Sequence, residues 1–300
     1  MRILVTGASG FIGSRVVAAL ARQRHEIHRL TRGPLEPSDP RLFLWDVERG
    51  EIDPRALEGV DLVIHLAGQN LAARRWTPAF KAQLVDSRVK STRLLMEAIS
   101  EQSLKPRAFI SAGAIGFYGD RGAEELNEGS SGGHDFLAQL CQAWEGESAK
   151  AADQGMRLVQ MRFGVVLGRE GGVLARMILP FKLGAGGKVG SGQQYYSWIT
   201  IDDLVKAVLF FVDHPETAGV YNCVAPNPVT NAQFTASLGR AVGRPTFIPL
   251  PAFAARLAFG EMADALLLGG QKVSPQRLKA AGFRWEHPFI GEALNKVVNT

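Results

Sequence analysis

The stretch Gly7-Ala8-Ser9-Gly10-Phe11-Ile12-Gly13 follows an apolar run, Ile3-Leu4-Val5, and leads into the helix-like segment Ser14–Arg22. Three glycines at this spacing are a weak signal by themselves in a chain with 33 glycines among 300 residues. Their place between a strand and a helix makes the signal strong. There Gly7 can take the tight turn, Gly10 can let the backbone approach a pyrophosphate, and Gly13 can pack the helix against the strand. The start of the helix then offers free N–H groups and the positive end of its dipole to phosphates. The reading is a dinucleotide site in which Gly7, Gly10, Phe11, Ile12 and Gly13 meet the cofactor.

Working outward from this loop, short apolar runs alternate with amphipathic stretches. Strands are expected at Arg2–Val5, Ile27–Leu30, Arg41–Leu44, Leu62–Leu66, Ala108–Ser111 and Leu158–Val165. Helices are expected at Ser14–Arg22, Pro78–Ile99 and Phe136–Ala152. The fold class is α/β: a Rossmann-like, doubly wound parallel sheet with a smaller C-terminal α/β substrate lobe. The cofactor-binding domain is placed at 1–167. The lobe is placed at 168–300 and is interleaved with the first domain through Tyr221–Cys223. After Gly168 the texture changes to a glycine-rich loop, Gly184–Gly192, with helices near Asp202–Val212, Asn231–Val242 and Ala252–Leu268. A closing pair of helices starts from Pro275 and Pro288, where proline suits a first turn.

The end of the second strand selects the cofactor. A carboxylate there would hold a ribose 2′-hydroxyl, whereas a cation would hold a 2′-phosphate. The run carries Arg29, Thr31 and Arg32 and no carboxylate, so NADP is expected over NAD, with Arg32 on the phosphate. Asp46 follows the third strand, where its carboxylate can accept from an adenine amino group or cap its own loop. Leu66-Ala67-Gly68 ends the fourth strand with small residues that let backbone approach the cofactor. His65 before them reads as a packed strand residue.

Composition narrows the alternatives. Hydrophobic residues make up 46% of the chain, enough for a large core. The formal charge of +5 comes from 34 Lys and Arg scattered among 29 Asp and Glu, so no nucleic-acid partner is expected. Cys141 and Cys223 are far apart, in no CxxC or metal-ligand pattern, and read as reduced thiols in a protein without a metal. No apolar run reaches the roughly 18 residues of a membrane span, and no signal-like segment opens the chain. A cytoplasmic protein without a membrane partner is expected.

Gly7–Gly13, Leu66-Ala67-Gly68, Arg74-Arg75-Trp76-Thr77, Ser87-Arg88, Ser111–Gly119 and the tail Pro275–Leu294 together resemble the extended, epimerase-like branch of the short-chain dehydrogenase/reductases. More narrowly, the chain is similar to its atypical NAD-dependent epimerase/dehydratase group, also described as nucleotide-sugar epimerase-like, with a C-terminal domain of unknown function. The likeness implies cofactor contacts from Arg88, Ser111, Ala112 and Arg162. It also implies hydride chemistry served by a Tyr-x-x-x-Lys pair on the helix after the fifth strand, where lysine lowers the tyrosine's pKa.

Here those two positions hold Leu137 and Cys141, and Gly113 stands where a second serine would be expected. The atypical group generally lacks the pair. Tyr118 is the candidate replacement acid, or else an aromatic wall of the pocket. Glu128 and His134 read as loop residues. Arg75, Trp76, Tyr196 and Trp198, with Lys188, Gln193 and Tyr195, are expected to line a pocket for a small substrate, phosphorylated or nucleotide-linked. Asp202-Asp203 reads as a helix cap.

The functional expectation is an NADP-dependent, epimerase-like oxidoreductase. The alternative is an NADP-binding sensor or regulatory protein without turnover. The chain is expected to be a monomer, or a homodimer paired through its two long helices.

Overall fold

The computed structural model describes residues 1–33 and 39–299. In chain order the strands are β1 (Arg2–Thr6), β2 (Glu26–Thr31), β3 (Leu42–Asp46), β4 (Glu51–Ile52), β5 (Leu62–His65), β6 (Ala108–Ala114) and β7 (Glu125–Leu126). They continue as β8 (Arg157–Phe163), β9 (Val165–Leu167), β10 (Tyr195–Tyr196), β11 (Trp198–Thr200), β12 (Gly219–Cys223), β13 (Val229–Thr230) and β14 (Lys272–Val273). The helices are α1 (Phe11–Arg22), α2 (Pro78–Ser100), α3 (Phe136–Asp153), α4 (Gly172–Lys182) and α5 (Ile201–Asp213). These are followed by α6 (Asn231–Val242), α7 (Ala252–Phe259), α8 (Glu261–Ala263), α9 (Gln276–Ala280) and α10 (Ile290–Asn299).

Eight strands form one sheet in the order β12-β8-β6-β5-β1-β2-β3-β4. Every pairing is parallel except the β3–β4 edge. Ile3, Leu4 and Val5 are all buried because both faces of the sheet are covered. On one face Ile3 and Val5 meet Val16 and Leu20 of α1 and Leu204, Val208 and Phe211 of α5. On the other face Leu4 and Val63 meet Leu95 and Ile99 of α2 and Ala151 of α3. The order reverses between β1 and β5, and a ligand crevice is expected just beyond the carboxyl ends of those two strands.

The second body packs α4, α6 and α10 around Leu174, Phe181, Phe234, Leu238 and Leu294. β12 leaves this part of the chain to pair with β8 at the sheet edge, with Tyr221 opposite Met161. Several boundaries differ from the sequence reading. The third strand starts at Leu42 and runs to Asp46, and the first helix starts at Phe11, three residues earlier than expected. The single helix expected over Ala252–Leu268 is broken at Gly260, whose φ of 62° ends α7. Beyond α8 the chain makes one π-helical turn, Asp264–Leu268. Thr200 caps α5 by accepting from the Asp203 N–H. Thr200, not the Asp202-Asp203 pair read from the sequence, is thus the cap, and the buried Asp203 carboxylate accepts from Thr200 Oγ1 and from the N–H groups of Glu286 and His287, tying the tail to the start of α5.

Candidate cofactor cleft and its neighbouring polar network

The crevice at the strand-order reversal is a cleft of about 1130 Å³. Of the residues singled out in the sequence, Gly7, Gly10, Arg32, Asp46, Leu66, Ala67 and Gly68 line it. Gly7 has a φ of +66°, and a Cβ there would lie 2.8 Å from the Leu66 carbonyl carbon. The loops after β1 and β5 therefore touch, and only glycine fits between them. A Cβ on Gly13 would run into the Gly7 carbonyl oxygen, so this glycine sets how closely α1 approaches the loop. Gly10 is the N-cap of α1, with extended backbone, no side-chain cap and no acidic residue in the first turn. The first N–H groups of α1 are thus left for a ligand.

Phe11 and Ile12 do not line the cleft. The Phe11 ring fills the space a side chain would need at Gly168 and Gly171, and so seats the loop after β9. Ile12 packs against the core on the α1 side of the sheet.

At the end of β2, Arg29 is paired with Asp39, which removes it as a phosphate ligand. Arg32 is exposed and makes no ion pair with another described residue. Asp46 spends Oδ1 on the N–H groups of Glu48 and Arg49, at 3.0 and 3.1 Å, so it caps its own loop while bordering the cleft. Thr31, Ser9, Gln69 and Ser87 also line the cleft. Thr31 was noted on the second strand. Ser9 lies within the glycine loop and Ser87 in the Ser87-Arg88 motif, whereas nothing in the sequence marks Gln69 as a cleft residue.

The floor of the cleft is held from below. Leu66 N–H and Ala67 N–H donate to Thr6 Oγ1 at 3.1 and 3.2 Å. Thr6 Oγ1 lies 2.7 Å from His65 Nδ1, and His65 Nε2 lies 3.0 Å from Thr92 Oγ1. Thr92 donates its proton to the Arg88 carbonyl at 2.6 Å. This order leaves His65 neutral, with its proton on Nε2, donating to Thr92 and accepting from Thr6. Complete burial pulls its pKa down to about 3. His65 is the packed strand residue the sequence suggested.

Arg88 reaches the cleft wall from α2 by donating to the carbonyls of Gln69 (2.9 Å) and Leu84 (3.1 Å). A Cβ on Gly68 would meet its guanidinium carbon at 3.2 Å. Burial lowers the Arg88 pKa to about 10.

The candidates beyond β6 form a separate, closed network. Tyr118 is fully buried and does not line the cleft. Its hydroxyl donates to Asn222 Oδ1 at 2.8 Å and accepts from Arg162 Nη1 at 3.0 Å. Burial raises its pKa, partly offset by the Arg162 charge. This geometry corrects the expectation of an acid facing a cofactor, because both directions of the hydroxyl are already used inside the protein. Arg162 is likewise buried, and Glu145 holds it at two points, so it offers no free charge to a ligand. Ser111 is buried and donates to the Ala112 carbonyl at 3.2 Å, and Ala112 is buried beside it.

Leu137 and Cys141 do face the turn after β6: a Cβ on Gly116 would meet them at 3.4 and 3.7 Å. Burial pushes the Cys141 thiol up to about 12, so this pair has no proton-transfer capacity near neutral pH. Glu128 accepts from the N–H groups of Asn222 and Arg277, a structural tie between loops. His134 is exposed beside a second hollow of about 540 Å³.

The substrate-side candidates are not gathered as expected. Arg75 is exposed on the loop before α2, against Gly260. Trp76 is buried, donating Nε1–H to the Leu71 carbonyl and stacking edge-on with Phe136. Trp198 is fully buried in the core of the second body, where its Nε1–H meets the Asn227 carbonyl, so it cannot form part of an open pocket wall. Tyr196 is half-buried against Phe234.

Comparison with known proteins adds an independent finding. The model of the NAD dependent epimerase/dehydratase family matches residues 3–223, and a domain of unknown function, DUF1731, matches residues 250–297. An epimerase family protein of Mycobacterium leprae is 44% identical over 98% of this chain and 94% of its own. The crystal structure of the human epimerase family protein SDR39U1, isoform 2, with NADPH superposes with a TM-score of 0.92 at 37% identity over all of both chains. A nucleoside-diphosphate sugar epimerase from Corynebacterium glutamicum superposes with a TM-score of 0.81 at 33% identity. That match covers 99% of this chain and 58% of the other.

Proposed function

The chain belongs to the NAD dependent epimerase/dehydratase family, and on that premise we propose that it is an NADP-dependent, epimerase-like oxidoreductase. Its substrate would be a small or nucleotide-linked carbinol or carbonyl compound. The observation that carries the reading is the cleft itself. Gly7 and Gly13 leave no room for side chains, the α1 N–H groups are uncapped, and Arg32, just past the end of β2, has no ion-pair partner among the described residues. The human relative's structure with NADPH supports the same choice of cofactor. When bound, NADP supplies hydride exchange at its nicotinamide with a carbinol carbon.

The chain's own residues bind and orient. The start of α1 receives the pyrophosphate, Arg32 the 2′-phosphate, and Asp46 borders the adenine end. Arg75, exposed on the loop before α2, is a cation available to an anionic substrate group. We read residues 1–167 as the cofactor-holding part and 168–300 as the substrate side. The free, buried Cys141 and Cys223 fit a reducing compartment such as the cytoplasm.

A second reading is favoured by a specific observation. Leu137, Cys141 and the enclosed Tyr118 leave the usual proton-transfer positions without a competent group. In that case the protein binds NADP as a sensor or regulatory partner without turnover. Calorimetric titration with NADPH and NADH tests the shared premise: tighter binding of NADPH is expected, and failure of both to bind overturns both readings. NADPH consumption against a carbonyl panel separates them, since binding without turnover across the panel selects the sensor.

A further inference from the structure

Two stretches of the second body, 171–201 and 217–260, contain no Asp or Glu, and each carries three Lys or Arg. The rest of the chain is left with 28 basic and 29 acidic residues, so the whole positive excess behind the net charge of +5 comes from these two stretches. Their six cations, Arg176, Lys182, Lys188, Arg240, Arg244 and Arg256, are all exposed. One of them, Arg256, is paired with the Asp264 carboxylate, which lies outside both stretches.

The same stretches carry large exposed apolar side chains. Leu179 (64% exposed) and Leu183 (75%) lie one turn apart at the end of α4. Phe253 (73%) and Leu257 (78%) lie one turn apart on α7. Phe247 (86%) and Ile248 (60%) occupy the loop before α7. The two stretches are joined. Arg244 Nε donates to the Lys182 carbonyl at 3.0 Å, Leu250 N–H donates to the Lys188 carbonyl at 2.9 Å, and the Gly187 backbone abuts the Ile248 carbonyl. Isolated exposed apolar residues are ordinary, but this cluster is not isolated, and carboxylates are missing from the chain that builds it.

We propose that this surface docks peripherally on an anionic lipid bilayer, with Phe247, Ile248, Phe253 and Leu257 entering the headgroup region and the basic side chains meeting lipid phosphates. Apolar side chains rimmed by cations are what such a surface requires. A second copy of the chain is the poorer occupant, because a face-to-face pairing of this patch would set like charges against each other. The sequence-based expectation of no membrane partner rested on the lack of a spanning segment, and a peripheral contact needs none.

The test is co-sedimentation of the full chain with vesicles made of equal parts phosphatidylcholine and phosphatidylglycerol, compared with phosphatidylcholine alone. Binding to the anionic vesicles, weakened by high salt, is expected. Phe253→Asp with Leu257→Asp, and separately Lys182→Glu with Arg244→Glu, should each reduce partitioning by about tenfold or more. Unchanged thermal unfolding of each variant establishes that the loss is local. The proposal is overturned if the wild-type chain stays in the supernatant, or if both double variants bind as the wild type does. It is equally overturned if sedimentation equilibrium finds a dimer that the Phe253/Leu257 variant abolishes while no vesicle binding is seen.

Discussion

Glu145 grips Arg162 at two points, Nε to Oε1 at 2.8 Å and Nη2 to Oε2 at 2.7 Å, in a setting where both side chains are about nine-tenths buried or more. The Arg162 guanidinium also lies 3.4 Å from the Phe117 ring centroid. This cation is therefore neutralised by α3 and held rigid over the turn that follows β6. Glu145→Ala strands a buried charge and is expected to cost about 3–5 kcal/mol in urea unfolding. A loss under about 1 kcal/mol would mean that water reaches the pair.

Tyr118→Phe deletes the hydroxyl that links Arg162 to Asn222. Leaving Asn222 Oδ1 without its donor is expected to lower stability by about 1–3 kcal/mol. Because the hydroxyl does not reach the cleft, NADPH affinity should stay within about twofold of wild type. A large loss of affinity in calorimetry would put Tyr118 back at the cofactor.

Gly13→Ala places a methyl group against the Gly7 carbonyl oxygen, which is backbone and cannot swing aside. The loop must shift away from α1, so NADPH binding should fall by at least about tenfold, from the loss of ordered N–H contacts to phosphate. Retention of full affinity would show that the loop can be repositioned without consequence.

Arg32→Ala tests cofactor choice. The variant should lose about tenfold or more in NADPH affinity while NADH affinity is nearly unchanged, in keeping with a charge-assisted phosphate contact worth roughly 1.5–3 kcal/mol. Equal losses for both cofactors would assign Arg32 a structural role.

His65 makes stability depend on pH in a defined window. In the unfolded chain it takes a proton below about 6.5, whereas the folded protein keeps it neutral down to about 3. The unfolded state therefore binds more protons between these limits. Its contribution is fully present above pH 6.5 and is lost as the pH falls, by about 2 kcal/mol at pH 5. Urea unfolding at neutral pH and at pH 5 should show a smaller difference for His65→Gln than for the wild type. Identical differences would exclude His65 as the source.

The sheet and the cofactor crevice were legible in the sequence because they depend on local rules. A buried parallel strand needs an unbroken apolar run, and a loop passing between strand and helix needs glycines at Gly7, Gly10 and Gly13. The helix that begins near Asp202-Asp203 was readable for the same reason, although its cap is Thr200. Leu137 and Cys141 could likewise be named in advance as residues unfit for proton transfer, since side-chain chemistry does not wait on the fold.

Tertiary structure alone decided who neutralises whom. Arg29 lies on β2 and Arg32 just beyond its end, three residues later, yet Asp39 occupies the first and no described carboxylate the second. Tyr118 and Trp198 looked accessible as sequence, but burial and hydrogen-bond partners contributed by β8, β12 and the loop carrying Asn227 enclose them. Such pairings join residues tens of positions apart, and no periodicity records them. The glycine spacing fixed where a dinucleotide can lie, while long-range packing determined which polar groups remain free to meet it.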